Sequence, residues 1–302
     1  MLVNPFAVPG LKRPDDPLNP VREKEHTHYY VDVDNTAEAF DIFKAELSDP
    51  TSLVTDGRLV IVAGPEQCGK SALVNRCAHW VRERLMEVHH AAAVIDLTRV
   101  VELTETQAER RRSVCRTLIN RLWQTGAVTD QQLLDFRAEP DDAYPYLAGA
   151  VQERFVAIVL LPPSGELARE LVQYARDAQA KILFFGESSY TSYVETAWPE
   201  LERAGTAPPI YLTVGSLTKR DAGRFADDRL RRSPHGPKLP PVKPDTLDLV
   251  TEKRPMSIGE LQTLLYGLYE ELRREPGLTD EVTYQYISEF YLRKAKLLGN
   301  RF

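Results

Sequence analysis

The sequence predicts an α/β domain with a five-stranded, mainly parallel sheet flanked by helices, followed by a small C-terminal helical domain. Three observations carry this. Apolar runs of strand length alternate with segments of helical periodicity between residues 58 and 214. One loop in that series, "GPEQCGKS" at 64–71, has the spacing of a phosphate cradle. Past about residue 232 the alternation stops, and a Pro-rich stretch leads into two helical patterns.

The elements follow in chain order. Residues 1–29 are rich in Pro and charge and read as an extended arm, not a packed element. "YYVDV" reads as a short strand. The segment 36–47 follows Asn35, a good N-cap, and places Ala37, Phe40, Phe43 and Leu47 at helical spacing. "RLVIVA" is a continuous apolar run, as expected of a strand buried on both faces. A helix is expected from Lys70 to about Met86, then a strand at 91–97. A long helix with Val114, Leu118, Ile119 and Leu122 on one side comes next, then a strand at 154–163. A helix over 165–180, a strand over 181–189 and a strand over 208–214 complete the α/β region. The domain boundaries read 30–232 for this region, 233–254 for a Pro-rich linker and 255–302 for the helical end. There, Ser257 and Glu260 form a capping box, and "PG" at 276–277 separates two helices.

Composition excludes several classes. The 302 residues, 43% hydrophobic and 27% charged, are those of an ordinary globular protein. A net charge of −6 does not suit a molecule built throughout to bind polyanions. Three cysteines, Cys68, Cys77 and Cys115, show no metal spacing or disulfide framework and point to a reducing, cytoplasmic setting. No apolar run approaches the roughly 18 residues of a membrane span, so no membrane insertion is expected. His26, His28, His79, His89 and His90 show no usable metal or catalytic pattern.

Gly64, Gly69, Lys70 and Ser71 fit G-x-x-x-x-G-K-[ST] without a mismatch. The glycines let the backbone approach closely, so its N–H groups face phosphates at the start of a helix. Lys70 is placed to reach the β- and γ-phosphates, and the Ser71 hydroxyl to take Mg²⁺. Gly64, Pro65, Glu66, Gln67, Cys68, Gly69, Lys70, Ser71 and Ala72 are thus the expected nucleotide contacts, with ATP and Mg²⁺ as cofactors. The helix start would lower the thiol pKa of Cys68; a redox role and a tolerated small side chain both remain open.

A cradle binds nucleotide, and hydrolysis needs more. Such proteins usually carry an Asp, often followed by a second acid, at the end of another apolar strand. Here the best strand ends "VLLPPSGE", with Leu161, Pro162 and Pro163 where the acids belong. Glu166, several residues late, either swings back to the site or starts the next helix, where an acid offsets the dipole. Asp96 ends the second strand. Glu187 to Ser189 end the fourth, which is expected beside the phosphate-loop strand. There they act either as polar sensors of a γ-phosphate and its water or as a plain helix cap. Glu187 and Ser188 are therefore catalytic candidates with Lys70 and Glu166.

Taken together, these residues resemble the AAA+/STAND group of P-loop ATPases, in the branch of origin-recognition, transposition-helper and secretion-pathway ATPases. "GRLVIVAGPEQCGKSALVNRC" is similar to that branch's opening, "KILFFGESS" to its sensor strand, and 210–230 to its last strand and Arg-ending helix. The resemblance implies that the helices after 255 form a lid. It also implies an Arg near phosphate, in cis or from a neighbouring subunit, with Arg229, Arg231 and Arg232 as candidates. The missing acids depart from the family's Walker B pattern. The expected function is an ATP-binding switch or assembly factor acting on partner proteins or on its own oligomer, with weak or absent intrinsic hydrolysis.

Two alternatives compete. Segment 219–243 carries eight basic and three acidic side chains, which suits a DNA-associated ATPase. A P-loop small-molecule kinase or GTPase is the other. "TKRD" (218–221) fits the T/N-K-x-D guanine signature, but Gly215 to Leu217 separate it from the strand that signature normally ends.

Overall fold

The computed structural model describes residues 2–100, 106–128, 140–164, 168–234, 238–275 and 277–299. Five parallel strands form one sheet: β1 (Arg58–Ala63), β2 (Ala91–Asp96), β3 (Phe155–Leu160), β4 (Ile182–Ser188) and β5 (Ile210–Thr213). Their order is β2-β3-β4-β1-β5, so β4 lies directly between β1 and β3. β1, β3 and β4 are buried along almost their whole length, which is why they read as unbroken apolar runs.

Helices cover both faces. On one face α1 (Thr36–Glu46) and α2 (Lys70–Glu87) pack with Phe43, Leu73, Val74 and Val81 against Val60, Val62, Leu183 and Phe185. On the other, α3 (Gln107–Gln124), α4 (Pro140–Ala150), α5 (Ala168–Asp177) and α6 (Thr191–Ala204) surround Ile61, Val159 and Phe184. The C-terminal region is α7 (Asp221–Arg232), α8 (Thr246–Lys253), α9 (Ile258–Arg274) and α10 (Tyr284–Gly299), with its own apolar cluster around Leu261, Leu265 and Leu268. The capping box expected at Ser257 and Glu260 is present.

Four local expectations are corrected. Segment 29–33 is not a strand; Tyr29 closes a 3-10 turn at Lys24–Tyr29, and 30–33 is irregular chain. Asn35 makes no capping bond, because its Nδ2 donates to the Thr213 carbonyl, 2.8 Å away. The Pro-rich segment after 232 contains α8, whose Leu247 is buried in the C-terminal cluster. The N-terminal arm is packed. Phe6 is fully buried with its ring 5.0 Å from Tyr269, and burial of such a side chain is worth about 2 kcal/mol. The Asn4 amide donates to Tyr266 O, and Gln262 donates to Phe6 O. Polar bonds to named acceptors thus hold an arm whose composition alone reads as unpacked.

Candidate functional site

The loop between β1 and α2 has the geometry its spacing predicts. Gly69 sits at φ +82° as the residue before α2. Gly64 is at φ +156°, and a Cβ there would lie 2.2 Å from the Val214 carbonyl oxygen. Only glycine therefore lets the loop pass the end of β5. The Lys70 ammonium is buried and donates to Gly64 O at 2.8 Å and Pro65 O at 2.7 Å. Burial lowers its pKa, while Glu187 pulls the other way.

The loop opens into a cavity of about 300 Å³. Glu66, Gln67, Gly69, Lys70, Ser71 and Ala72 line it, as do Glu187 and Arg229. Gly64, Pro65 and Cys68, expected as nucleotide contacts, are not among the residues that line it. Cys68 corrects an expectation: burial raises its thiol pKa, where the helix start was expected to lower it.

Of the carboxylates that line the cavity near the loop, Glu66, Asp34 and Glu187, it is Glu187 that bonds the Ser71 hydroxyl. Residues 183, 185 and 187 alternate onto the α2 face of the sheet, and the β1–β4 register sets Glu187 beside Val62. Its Oε2 accepts a 2.9 Å hydrogen bond from the Ser71 hydroxyl. Burial pushes its carboxyl above the usual range, while the Ser71 bond and the Lys70 charge pull it back. Ser188 faces elsewhere: its Oγ accepts from Tyr190 N–H at 3.2 Å, within the turn into α6. The end of β3 carries no acid at Leu161, Pro162 or Pro163. Instead Arg110, from α3, donates to Pro163 O at 2.7 Å and pairs with the fully buried Glu170 of α5. Asp96, at the end of the edge strand β2, pairs with Arg22 at 2.6 Å. Glu166 lies outside the described residues.

Arg229 of α7 lines the same cavity as the loop. It is 4% exposed, stacked over Tyr29 and Phe225 at 5.1 and 5.0 Å. Its Nε and Nη1 are buried without hydrogen-bond partners, and burial lowers its pKa to about 10. Asp34 Oδ2 and Gln262 Oε1, also on cavity-lining residues, are likewise buried and unpartnered. Unsatisfied buried groups of this kind are costly, and a ligand that pairs with them recovers that cost. Two orphaned guanidinium donors on a residue that shares a cavity with a Gly-Lys-Ser loop fit the polyphosphate of a nucleotide. The other candidates on that helix differ: Arg231 is exposed, and Arg232 bonds Asp228 and His28 O.

Reading of the sequence missed the arm's part in this site. Leu11, Asp16, Leu18, Tyr29 and Tyr30 line the cavity. Tyr30 OH donates to Ala72 O and Asn75 Nδ2 to Leu18 O, each at 2.9 Å, tying the arm to α2. His26, buried, accepts from Asn19 N–H through Nδ1 and meets Pro9 O through Nε2. The only local signal was a pair of tyrosines in a Pro-rich stretch. From the C-terminal helices, Gly259 N–H donates to Gln67 O at 3.0 Å, so α9 begins on the phosphate loop. The guanine signature is spent locally: Asp221 Oδ2 accepts from Thr218 N–H, Thr218 Oγ1–H and Asp34 N–H, and Oδ1 meets Arg224.

The sheet order, the loop and the C-terminal helices define the fold of the AAA+ P-loop ATPases, with the acidic motif of β3 absent. The resemblance seen in the sequence holds at that level. Among solved structures, the chain is similar to the ORC1 protein of Aeropyrum pernix in complex with DNA, at 14% identity and a TM-score of 0.57. That match spans 92% of this chain and 69% of the other. It is also similar to the ORC2 protein of the same organism in ADPNP and ADP complexes, at 13% identity and a TM-score of 0.53, over 84% of this chain and 66% of that one. No protein-family model matches the sequence, and no curated protein matches it. Among the described residues no helix is long and apolar enough to cross a membrane.

Proposed function

We propose that the protein is an ATP-binding switch or assembly factor of the AAA+/STAND type, acting on partner proteins or on its own oligomer, with little intrinsic hydrolysis. The observation that carries the reading is a complete phosphate loop beside a β3 end made of Leu161, Pro162 and Pro163. Lys70 and Arg229, which line one cavity, hold the polyphosphate, and the Ser71 hydroxyl holds Mg²⁺, which screens phosphate charge when bound. The arm contributes Tyr29 and Tyr30 to the cavity lining. Because α9 starts on the loop and the arm is anchored on α9, nucleotide contacts both core and lid. Nucleotide can then shift their arrangement by its differential affinity for two states.

The test is calorimetric titration with ATP plus turnover by the purified chain, with Lys70→Ala as control. Tight binding with turnover far below about 1 s⁻¹, the low end of ordinary enzymes, is the expected result. Fast turnover without a partner would sink the switch reading; no binding would sink the whole proposal.

A DNA-associated role is the second reading, favoured by the basic excess of segment 219–243 and by the DNA complex of the similar ORC1 structure. Several of those charges are already committed: Arg224 to Asp221, Arg232 to Asp228, and Arg229 to the cavity. A steep fall of affinity for duplex DNA with salt is the result that would promote this reading.

A further inference from the structure

We infer that Glu187, at the end of β4, is the Mg²⁺-side carboxylate of this site, replacing the acid that β3 does not supply. The inference rests on the ATP-binding reading above and deepens it. A bound Mg²⁺ at a phosphate loop is held by the loop's Ser or Thr hydroxyl and a carboxylate beside it, with the remaining positions filled by phosphate oxygens and water. A site of this kind needs one acid at one place, not a cage of protein ligands. That place is fixed by Ser71, and the carboxylate found there belongs to Glu187, 2.9 Å from the Ser71 hydroxyl.

The strand geometry explains how the task moves. β4 lies next to β1, whereas β3 is one strand further away. Ser164 N–H donates to Glu187 O at 3.3 Å, so the β3 continuation runs alongside Glu187. Leu160 lies in the apolar cluster on the α2 face, and by the alternation of the pleat Pro162 follows it there. An acid at 162 and an acid at 187 would thus approach Ser71 from adjacent strands. Only the second is present. The longer Glu side chain suits a strand end that already touches the loop, where Gly64 N–H bonds Ser188 O at 3.1 Å. The other acid on this edge of the sheet, Asp96, is held by Arg22 and by the Thr98 hydroxyl.

The assignment separates two jobs that are often adjacent on β3. Glu187 serves the metal, and no second acid follows it to activate water, since residues 188 and 189 are serines. Metal-dependent binding and slow hydrolysis are then compatible.

The experiment compares Glu187→Gln with wild type on the full chain. Glutamine keeps the size and the acceptor for Ser71 and removes the charge. ATP affinity is measured with Mg²⁺ and with EDTA, and Mn²⁺ uptake in the presence of a non-hydrolysable ATP analogue is followed by the loss of its free-ion EPR signal. In wild type the divalent ion tightens ATP by about tenfold or more, as for a charge-assisted contact. In E187Q the metal-free affinity does not fall, because an anion beside the phosphates is removed, while the metal enhancement and Mn²⁺ uptake fall about tenfold. Metal enhancement retained in E187Q overturns the inference and leaves nucleotide binding intact. Turnover lost with metal enhancement unchanged also overturns it, because Glu187 would then be acting on water. Wild type that binds no nucleotide in either condition overturns the functional reading itself. If E187Q unfolds, Glu187→Asp takes its place: weaker, still metal-dependent binding supports the assignment, and unchanged metal enhancement counts against it.

Discussion

The ends of β3 and β4 lie side by side and have opposite characters. β3 runs out in Leu161, Pro162 and Pro163, closed off by the Arg110 bond to Pro163 O and the Arg110–Glu170 pair behind it. β4 runs out in Glu187 and two serines, with Glu187 bonded to the phosphate loop. In the usual arrangement β3 carries the acids. The contrast teaches that a phosphate cradle and a hydrolytic centre are separable: the first depends on one loop and the helix after it, the second on strand ends contributed from elsewhere in the chain.

The largest expected effect tests the part that both strand ends share. Lys70→Ala lowers ATP affinity by about a hundredfold, near 2.7 kcal/mol, by removing the buried ammonium from the loop. Isothermal calorimetry reads it, and a change under threefold would mean that nucleotide does not sit in this loop. Next comes an attempt to erase the difference between the strands. The double variant Pro162→Asp with Pro163→Glu puts acids back on β3 and raises ATP turnover by about ten- to a hundredfold, the range of a positioned acid or base. Unchanged turnover in a folded variant would locate the limitation outside β3.

A third change probes the cavity lining contributed by α7. Arg229→Met removes two unpartnered buried donors. ATP affinity drops about tenfold, while the nucleotide-free protein melts no lower than wild type, because an unpaired buried cation is itself a cost. A lower melting point without loss of affinity would make Arg229 a structural residue. The smallest effect is a pH dependence at Asp34. Burial, with Asp221 nearby, pushes its carboxyl up to about 7 from 3.8. The folded state then binds the proton more tightly than the unfolded one, so stability falls as pH rises from about 4 to 7. Asp34→Asn keeps the acceptor for Thr36 N–H and should flatten that slope by of the order of 1 kcal/mol, seen as a smaller fall in melting temperature between pH 5 and 8. An unchanged slope would place the titration elsewhere, with Asp177, pushed up to about 6 by burial, the next residue to change.

Much of the fold was legible. The buried strands β1, β3 and β4 announce themselves as apolar runs, and α2 was expected to begin at Lys70, where it does begin. α4 and α6 were not read: each carries an internal proline, Pro145 and Pro199, that breaks the local pattern. α8 was hidden in the same way by the prolines around it. At the site, the loop residues and Glu187 were legible because they lie in or at the end of strong patterns. The capping role of Asn35 and the thiol pKa of Cys68 differ from expectation because they depend on a neighbour distant in sequence or on burial, neither of which local spacing encodes.

The sequence by itself determined the phosphate loop, the strand that feeds it and the absence of acids at 161–163, since each is a matter of residue type over a few positions. Tertiary structure alone decided what surrounds them. It set β4 against β1 so that Glu187 meets Ser71, turned Arg229 inward with unpaired donors, and laid the N-terminal arm across the cavity. Those outcomes rest on contacts between residues up to 266 positions apart, as between Asn4 and Glu270. Packing selects such contacts, and no local periodicity records them.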